Sequence, residues 1–393
     1  MNISKYLNPS NGTLEIPDIV AKREDPAKLV SAVVGAKLTF PSKIVLNGDN
    51  RMELFKNLME YHPRFYKEPV EYPTTQWLSN GLATNRYLKQ NLTFLSTNED
   101  YERIDQLTDY FTETNRISAV KKGLEHSPIA YWQNNMDKLV MSLIEKKKSI
   151  NSKELRNELW LNNMEVNNYK LTLVSSLLWQ FNAKRILDIS AGWGDRLLGS
   201  IAHYAERYLG YDPNIALKKG HDQIIDYFTK DRTTSKDINH YEVRYQPFEQ
   251  ADLGTELFDL ILTSPPYYDL EVYTSQRGQS LISYPVFEDW VVKFLFVSLK
   301  KAWSNLKDDG NMVLHISDYG NIHYVEATVL FVLGWCQNSS FDGVIGSVGN
   351  SKKARPNWIF HKHISSDKKS VSTAKQDMKK YYPKLFSMIE KSL

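Results

Sequence analysis

Arg185-Ile186-Leu187-Asp188-Ile189-Ser190-Ala191-Gly192-Trp193-Gly194-Asp195-Arg196-Leu197 reads as a strand, a glycine turn and the opening of a helix. The apolar run at 185–189 suits a strand covered on both faces. Gly192 and Gly194 have no side chain, so the backbone there can turn sharply and let a ligand lie against it. A helix over 196–206 would aim its N-terminus into the same space. A second strand, 208–211, ends beside Asp212, 20 residues after Gly192. In open α/β sheets a carboxylate at that place and spacing reaches the ribose hydroxyls of a nucleotide. Leu197 stands where a third glycine would complete G-x-G-x-x-G, which disfavours a pyrophosphate-binding turn.

Outward from this segment the pattern repeats. A helix over 215–228, strands at 241–245 and 258–262, a long helix over 287–306 broken by Gly310, and a strand at 312–316 alternate as in βαβ units. The expectation is an α/β fold with a doubly wound parallel sheet covered on both faces. Shorter helices are predicted at 154–160, capped by Ser152, and at 168–181. The stretch Lys146-Lys147-Lys148-Ser149 marks a change of composition. Three parts are expected: a mostly helical N-terminal region (1–150) serving as cap or target-recognition domain, a catalytic domain (151–364), and a Lys-rich C-terminal tail (365–393). From His361 onward eight Lys face three acids, an excess of +5.

Composition bounds the rest. With 393 residues, 42% hydrophobic and 24% charged, the chain can build a sizeable core, which excludes global disorder. Cys336 is the single cysteine, so neither an intramolecular disulfide nor a cysteine zinc site is possible. Its apolar surroundings suggest inert packing, and no metal is expected. No apolar run is long enough to span a membrane, and no secretory leader is visible. An intracellular protein, cytoplasmic or with DNA, is expected. The net charge of +3 permits nucleic acid as a partner without demanding it.

The strand at 258–262 runs into Ser264-Pro265-Pro266-Tyr267. Two prolines fix φ and remove two backbone donors, and Pro265 pushes Ser264 out of the helical region. A stiff turn at the end of a central strand results, with carbonyls to accept hydrogen bonds, a hydroxyl and an aromatic face. An exocyclic base amino group is a poor nucleophile because its lone pair is delocalised into the ring. A hydroxyl and a carbonyl accepting its N–H bonds would free that lone pair. Tyr267 would stack on a base held out of its helix.

Asp188-x-Ser190-Ala191-Gly192-Trp193-Gly194-Asp195-Arg196-Leu197 resembles motif I of the class I S-adenosylmethionine-dependent methyltransferases, and Gly210-Tyr211-Asp212-Pro213 resembles their second motif. Ser264 to Tyr267 resembles motif IV of the amino-methyltransferases, which methylate cytosine N4 or adenine N6 in DNA. Their relatives act on guanine N2 of RNA and on protein glutamine. The resemblance covers about 185–316, a third of the chain. It implies a Rossmann-like methyltransferase sheet and S-adenosylmethionine as cofactor. Asp188 would sit near the methionine part, with Ala191, Gly192 and Gly194 along the cofactor, Asp212 on the ribose and Phe248 against the adenine. Ser264, Pro265, Pro266 and Tyr267 would carry catalysis. Serine at the first position is commoner in the N4-cytosine enzymes, so DNA cytosine N4 is favoured. Adenine N6 and an RNA base amino group remain alternatives, since here the glycine motif precedes the proline motif, unlike many N4-cytosine enzymes. Ser264 speaks against protein glutamine. An inactive methyltransferase fold used as a nucleic-acid-binding subunit is a further alternative.

Around the proline motif, Tyr268, Asp269, Glu271, Tyr273, Gln276, Arg277 and Gln279 form a polar loop. Tyr268, Tyr273 and Arg277 are expected to touch substrate, Arg277 through a phosphate. In the N-terminal region, 72–77 and Arg86, Arg116, Lys121 and Lys122 interleaved with Tyr87, Tyr110 and Tyr131 suggest either a target-recognition surface or a helical cap.

Overall fold

The structure is a computed structural model that describes residues 2–42, 50–66, 92–96, 103–230, 240–275, 277–348, 354–365 and 368–393. Residues 72–77, Arg86, Tyr87 and Gln276 lie outside these. The strands are β1 (Glu15–Ile16), β2 (Arg64–Tyr66), β3 (Leu92–Ser96), β4 (Val120–Lys121), β5 (Ile150–Asn151), β6 (Arg185–Asp188), β7 (Arg207–Tyr211), β8 (Tyr241–Arg244), β9 (Phe258–Thr263), β10 (Glu271–Val272), β11 (Leu306–Leu314), β12 (Ser339–Val348) and β13 (Ala354–Lys362).

Nine of these form one sheet in the order β2-β3-β12-β13-β11-β9-β6-β7-β8. From β8 to β11 every pairing is parallel, and β13 runs antiparallel to both its neighbours. The chain begins this parallel set in the middle, at β6, and steps outward through β7 to β8. It then returns to β9 on the other side of β6. The winding therefore reverses between β6 and β9, and a crevice opens at the carboxyl ends of strands at such a reversal. This is the doubly wound, Rossmann-like sheet expected from the sequence.

Alternation along the strands fills both faces. Leu187 and Ile261 join one apolar cluster with Trp290, Phe296 and Phe331, whereas Ile186, Leu260 and Leu262 join another with Leu177, Leu197 and Leu198. The helix Asp195–Ala202 is buried along its whole length. A further cluster gathers Leu14, Val33, Trp132, Leu143, Ile150 and Leu155 into a helical module of its own.

The structure departs from the sequence reading at several points. Residue 150 is no boundary: the helices Met136–Glu145 and Ser152–Asn162 share one core on either side of it, and β5 pairs with β1 there. Asn151, not Ser152, caps the second of these helices by accepting from the Glu154 N–H at 2.8 Å; the Ser152 hydroxyl accepts from the Leu14 N–H. Gly310 does not end a helix but lies inside β11, where the register with β9 shifts between Leu306 and Asn311. The C-terminal segment forms two docked helices. Its helices Lys368–Tyr381 and Pro383–Ser392 bury Ala374, Met378, Leu385 and Ile389 against the main core. Cys336 is buried, and burial pushes its thiol up to about 12, in keeping with inert packing. Among the described residues no helix is long and apolar enough to cross a membrane.

Candidate active site

The glycine loop leaves β6 and is tied to the end of β7, because the Ala191 N–H donates to the Tyr211 carbonyl at 2.7 Å. Gly192 and Gly194 hold φ of +57° and +90°, a region costly for residues with a Cβ. At Gly194 a Cβ would also stand 2.8 Å from Ile224 Cδ1. At Gly192 it would meet nothing nearer than 3.8 Å, so the space in front of this residue is open. The Gly192 N–H donates to Asp212 Oδ2 at 2.9 Å, and the Asn214 N–H donates to Asp212 Oδ1 at 2.9 Å. Both carboxylate oxygens are thus oriented, and each keeps a lone pair for a ligand. Burial pushes the Asp212 carboxyl up to about 6.

His221 pins the loop from behind. Its Nε2 lies 2.9 Å from the Gly192 carbonyl and its Nδ1 3.0 Å from the Tyr245 hydroxyl. A carbonyl only accepts, so Nε2 carries the hydrogen and Nδ1 accepts from Tyr245. Burial holds the imidazole down at about 4, hence neutral.

Asp188 does not line the cavity. It is fully buried: Arg196 Nε donates to its Oδ2 at 2.7 Å and the Tyr208 hydroxyl to the same oxygen at 2.8 Å, while Thr263 Oγ1 and the Ser190 N–H donate to Oδ1. Arg196 also donates to the Ser190 carbonyl and lies under the Tyr169 ring. Asp188 therefore braces the loop from below. Gly194 is likewise packed on Ile224 and His221, away from the open space.

The N-terminal region closes the other side of the loop. The Thr112 hydroxyl donates to the Trp193 carbonyl at 2.9 Å and Thr108 to Asp195 Oδ1 at 2.5 Å. The Tyr169 N–H donates to Asp195 Oδ2. Burial pushes the Asp195 carboxyl up to about 7. A buried ionic network locks the same region: Arg116 bonds Asp109 and Glu165 at 2.8 Å each, and Arg156 bonds Glu165 and Glu113. Sequence reasoning missed the two threonine clamps because their partners lie 87 and 81 residues away in the chain.

The proline turn leaves β9, the strand next to β6. The Ser264 and Tyr267 hydroxyls both donate to one acceptor, the His315 carbonyl, at 3.2 and 3.3 Å. The Ser264 carbonyl is not free, as the sequence suggested, because it accepts from the Ser190 hydroxyl at 3.0 Å. That bond joins the two loops directly. Among the described residues no group donates to the Pro265 carbonyl. The His315 side chain sits on Asn357 at 3.1 Å and edge-on to Tyr169.

Both loops face one cavity of about 1450 Å³. Ala191, Gly192, Asp212 and Phe248 line one part of it, with Pro213 and Pro247. Ser264, Pro265, Pro266, Tyr267 and Tyr273 line another. Phe248 meets Tyr211 edge to face, and the Tyr273 hydroxyl donates to Glu271 Oε2 at 2.7 Å. Two expected substrate residues lie elsewhere. Tyr268 packs on Phe287 and Trp290 and donates to the Pro285 carbonyl, and Arg277 is exposed outside the cavity. Nor do the N-terminal cations form a recognition surface as a set. Arg116 is buried in its network, Lys122 is paired with Asp269 at 2.7 Å, Tyr110 lies beneath Arg51, and Tyr131 packs on the helical core. Among the described cations of this group, Lys121 lines the cavity without an ion pair or a side-chain hydrogen bond.

No protein-family model matches the chain, and no curated protein matches it. Solved structures similar to it include TrmN from Thermus thermophilus (12% identity, TM-score 0.34), where the match spans 49% of this chain and 49% of that one. The chain therefore spans about half the length of the Thermus protein. An rRNA methylase from Streptococcus thermophilus is similar over 50% of this chain and 96% of its own (11% identity, TM-score 0.35). The N-methyltransferase NodS from Bradyrhizobium japonicum WM9 is similar over 49% and 92% (14% identity, TM-score 0.33). Nothing in the chemistry of the site rests on these likenesses.

Proposed function

We propose that this chain transfers a methyl group from S-adenosylmethionine to an exocyclic amino group of a nucleic-acid base, with cytosine N4 in DNA as the favoured target. One observation carries the reading: the glycine loop and the proline turn leave adjacent strands and line the same cavity, joined by the bond from Ser190 to Ser264. The residues suit the methyl donor. Asp212 offers two oriented oxygens to a diol, Phe248 and the neighbouring prolines offer an apolar face to an adenine, and the open space before Gly192 lets a ligand lie on backbone.

S-adenosylmethionine, when bound, supplies an electrophilic sulfonium methyl. Everything else falls to this chain. Ser264 Oγ, held as a donor to His315, accepts one N–H of the target amine, and the Pro265 carbonyl, to which no described group donates, accepts the other. The nitrogen is drawn toward a tetrahedral shape and its lone pair is freed to form the N–C bond as the donor's S–C bond breaks to leave a neutral thioether, and the methylated nitrogen releases one proton to solvent. Tyr267 presents a ring on which the base stacks; such stacking contributes about 1–3 kcal/mol per base. Rigid placement of both partners and hydrogen bonds that strengthen in the transition state account for rate. The preference for cytosine rests on the serine at 264, and that for DNA on the motif resemblance alone. Adenine N6 or an RNA base amino group would use the same acceptors.

The test is tritiated methyl transfer to separate DNA, RNA and protein fractions. Label in a nucleic-acid fraction that falls away with Ser264→Ala supports the reading. Label confined to protein contradicts it.

A further inference from the structure

The cations around the cavity fall into two groups. Arg116, Arg196 and Lys170 all face carboxylates within 4 Å, respectively Asp109, Asp188 and Asp105. Lys121 and Arg355 also line the cavity, yet among the described residues neither side chain has an ion pair or a hydrogen bond. They arrive from opposite sides: Lys121 from β4 of the N-terminal region, and Arg355 from β13 of the main sheet. They sit close enough that each acts electrostatically on Glu271, which β10 sets opposite Lys121. Arg355 also acts on Tyr267, and burial, with a smaller contribution from the Arg355 charge, lowers the Lys121 ammonium from its usual range. Lys121 is half-buried and Arg355 exposed, and two like charges on one cavity wall favour an anion between them. Glu271 offsets one of them; its Oε2 is already committed to Tyr273. Glu165 also acts on Lys121 but is held by Arg116 and Arg156, so Arg355 keeps a charge that a phosphodiester can take up.

The geometry points to a phosphate clamp: Lys121 and Arg355 together grip a backbone phosphate of the acceptor nucleic acid beside Tyr267. This assignment rests on the nucleic-acid reading of the site and adds to it the group that holds the strand. A clamp here would place the N-terminal region in substrate binding through Lys121, while the rest of that region braces the glycine loop.

Fluorescence anisotropy with labelled single-stranded 12-mers, one of DNA and one of RNA, tests it at several salt concentrations. Arg355→Gln and Lys121→Gln should each weaken binding about tenfold, as expected for one charge-assisted contact. Each should lower the slope of log affinity against log salt by about 0.7, the value per phosphate for single strands. Arg355→Lys, which keeps the charge, should retain most of the slope. S-adenosylmethionine affinity by calorimetry should not change. A stronger effect on one 12-mer than on the other tells which backbone the clamp fits. Unchanged affinity and slope for both oligonucleotides would overturn the clamp while leaving the methyl-transfer reading intact. Equal loss of S-adenosylmethionine affinity would overturn it too, by assigning the two cations to the donor's carboxylate. If the wild-type protein bound the donor but neither oligonucleotide, the nucleic-acid reading itself would fall.

Discussion

Around Gly192 the backbone is free to bend and is held from outside. The Tyr211 carbonyl, Asp212, His221 and, from the N-terminal region, Thr112 each take one group of the loop. Around Pro265 the backbone is stiff in itself, and a single carbonyl, that of His315, orients both hydroxyls. The contrast fits two tasks. A loop that wraps a ligand with its own backbone must lack side chains, so it borrows its rigidity from neighbours. A turn that presents acceptors to an amine keeps its side chains and obtains rigidity from proline rings. Damage should therefore spread differently from the two places: through folding and donor binding on the glycine side, through turnover on the proline side.

The largest expected effect tests the support beneath the glycine loop. Arg196→Ala leaves the fully buried Asp188 carboxylate without its cation, which should cost about 3–5 kcal/mol of stability in a denaturant titration. Ser264→Ala should stay close to the wild-type stability but lower turnover about 100-fold, the scale of removing one preorganised transition-state hydrogen bond. Donor affinity measured by calorimetry should be unaltered in that variant. Asp212→Ala should show the opposite split, with donor affinity weakened by about tenfold or more, as for a hydrogen bond to a charged group, and the remaining loss of turnover recovered at saturating donor.

The pH dependence sharpens the same side. The folded Asp212 carboxyl sits at about 6 against an ordinary 3.8, so between these values the folded state holds a proton that the unfolded state has lost. Its contribution to stability is then present below about 3.8 and lost as pH rises through about 6. Donor binding should run the other way, since under the proposed reading the ionised carboxylate would accept from both ribose hydroxyls. Affinity should strengthen as pH rises through about 6 and level off above it, and Asp212→Asn should flatten the curve. The smallest effect is that of Thr112→Val, which removes one neutral hydrogen bond to the loop and should weaken donor binding only about threefold. If Thr112→Val left donor binding untouched, the N-terminal region would cover the loop without bracing it.

Much of the core was legible because it is local. Strand, turn and helix at 185–202, the acid at 212 and the proline turn at 264 are each written in consecutive residues, and the structure brings Gly192, Asp212 and Ser264 to one cavity. What sequence reading missed is non-local. Asp188 looked like a ligand-facing acid because nothing nearby in sequence announced that Tyr208 and Thr263 would occupy it. Thr112 and His221 act on the loop across 81 and 29 residues, and no periodicity encodes such a bond. Tyr268 was misassigned because adjacent side chains of an irregular turn diverge: Tyr267 faces the cavity while Tyr268 turns to Trp290. The basic C-terminal segment resembled a tail because its lysines outnumber its buried positions; Ala374, Met378, Leu385 and Ile389 suffice to dock it, and Lys375 lies over Trp335.

The most direct test is mass spectrometry of nucleosides from DNA and RNA incubated with the protein and a trideuteromethyl donor. The convergence of the two loops predicts the heavy methyl on an exocyclic nitrogen, foremost N4-methylcytosine from DNA. Heavy methyl on a ring carbon or a ribose oxygen would contradict it, because neither site presents the paired N–H bonds that Ser264 and Pro265 are proposed to accept.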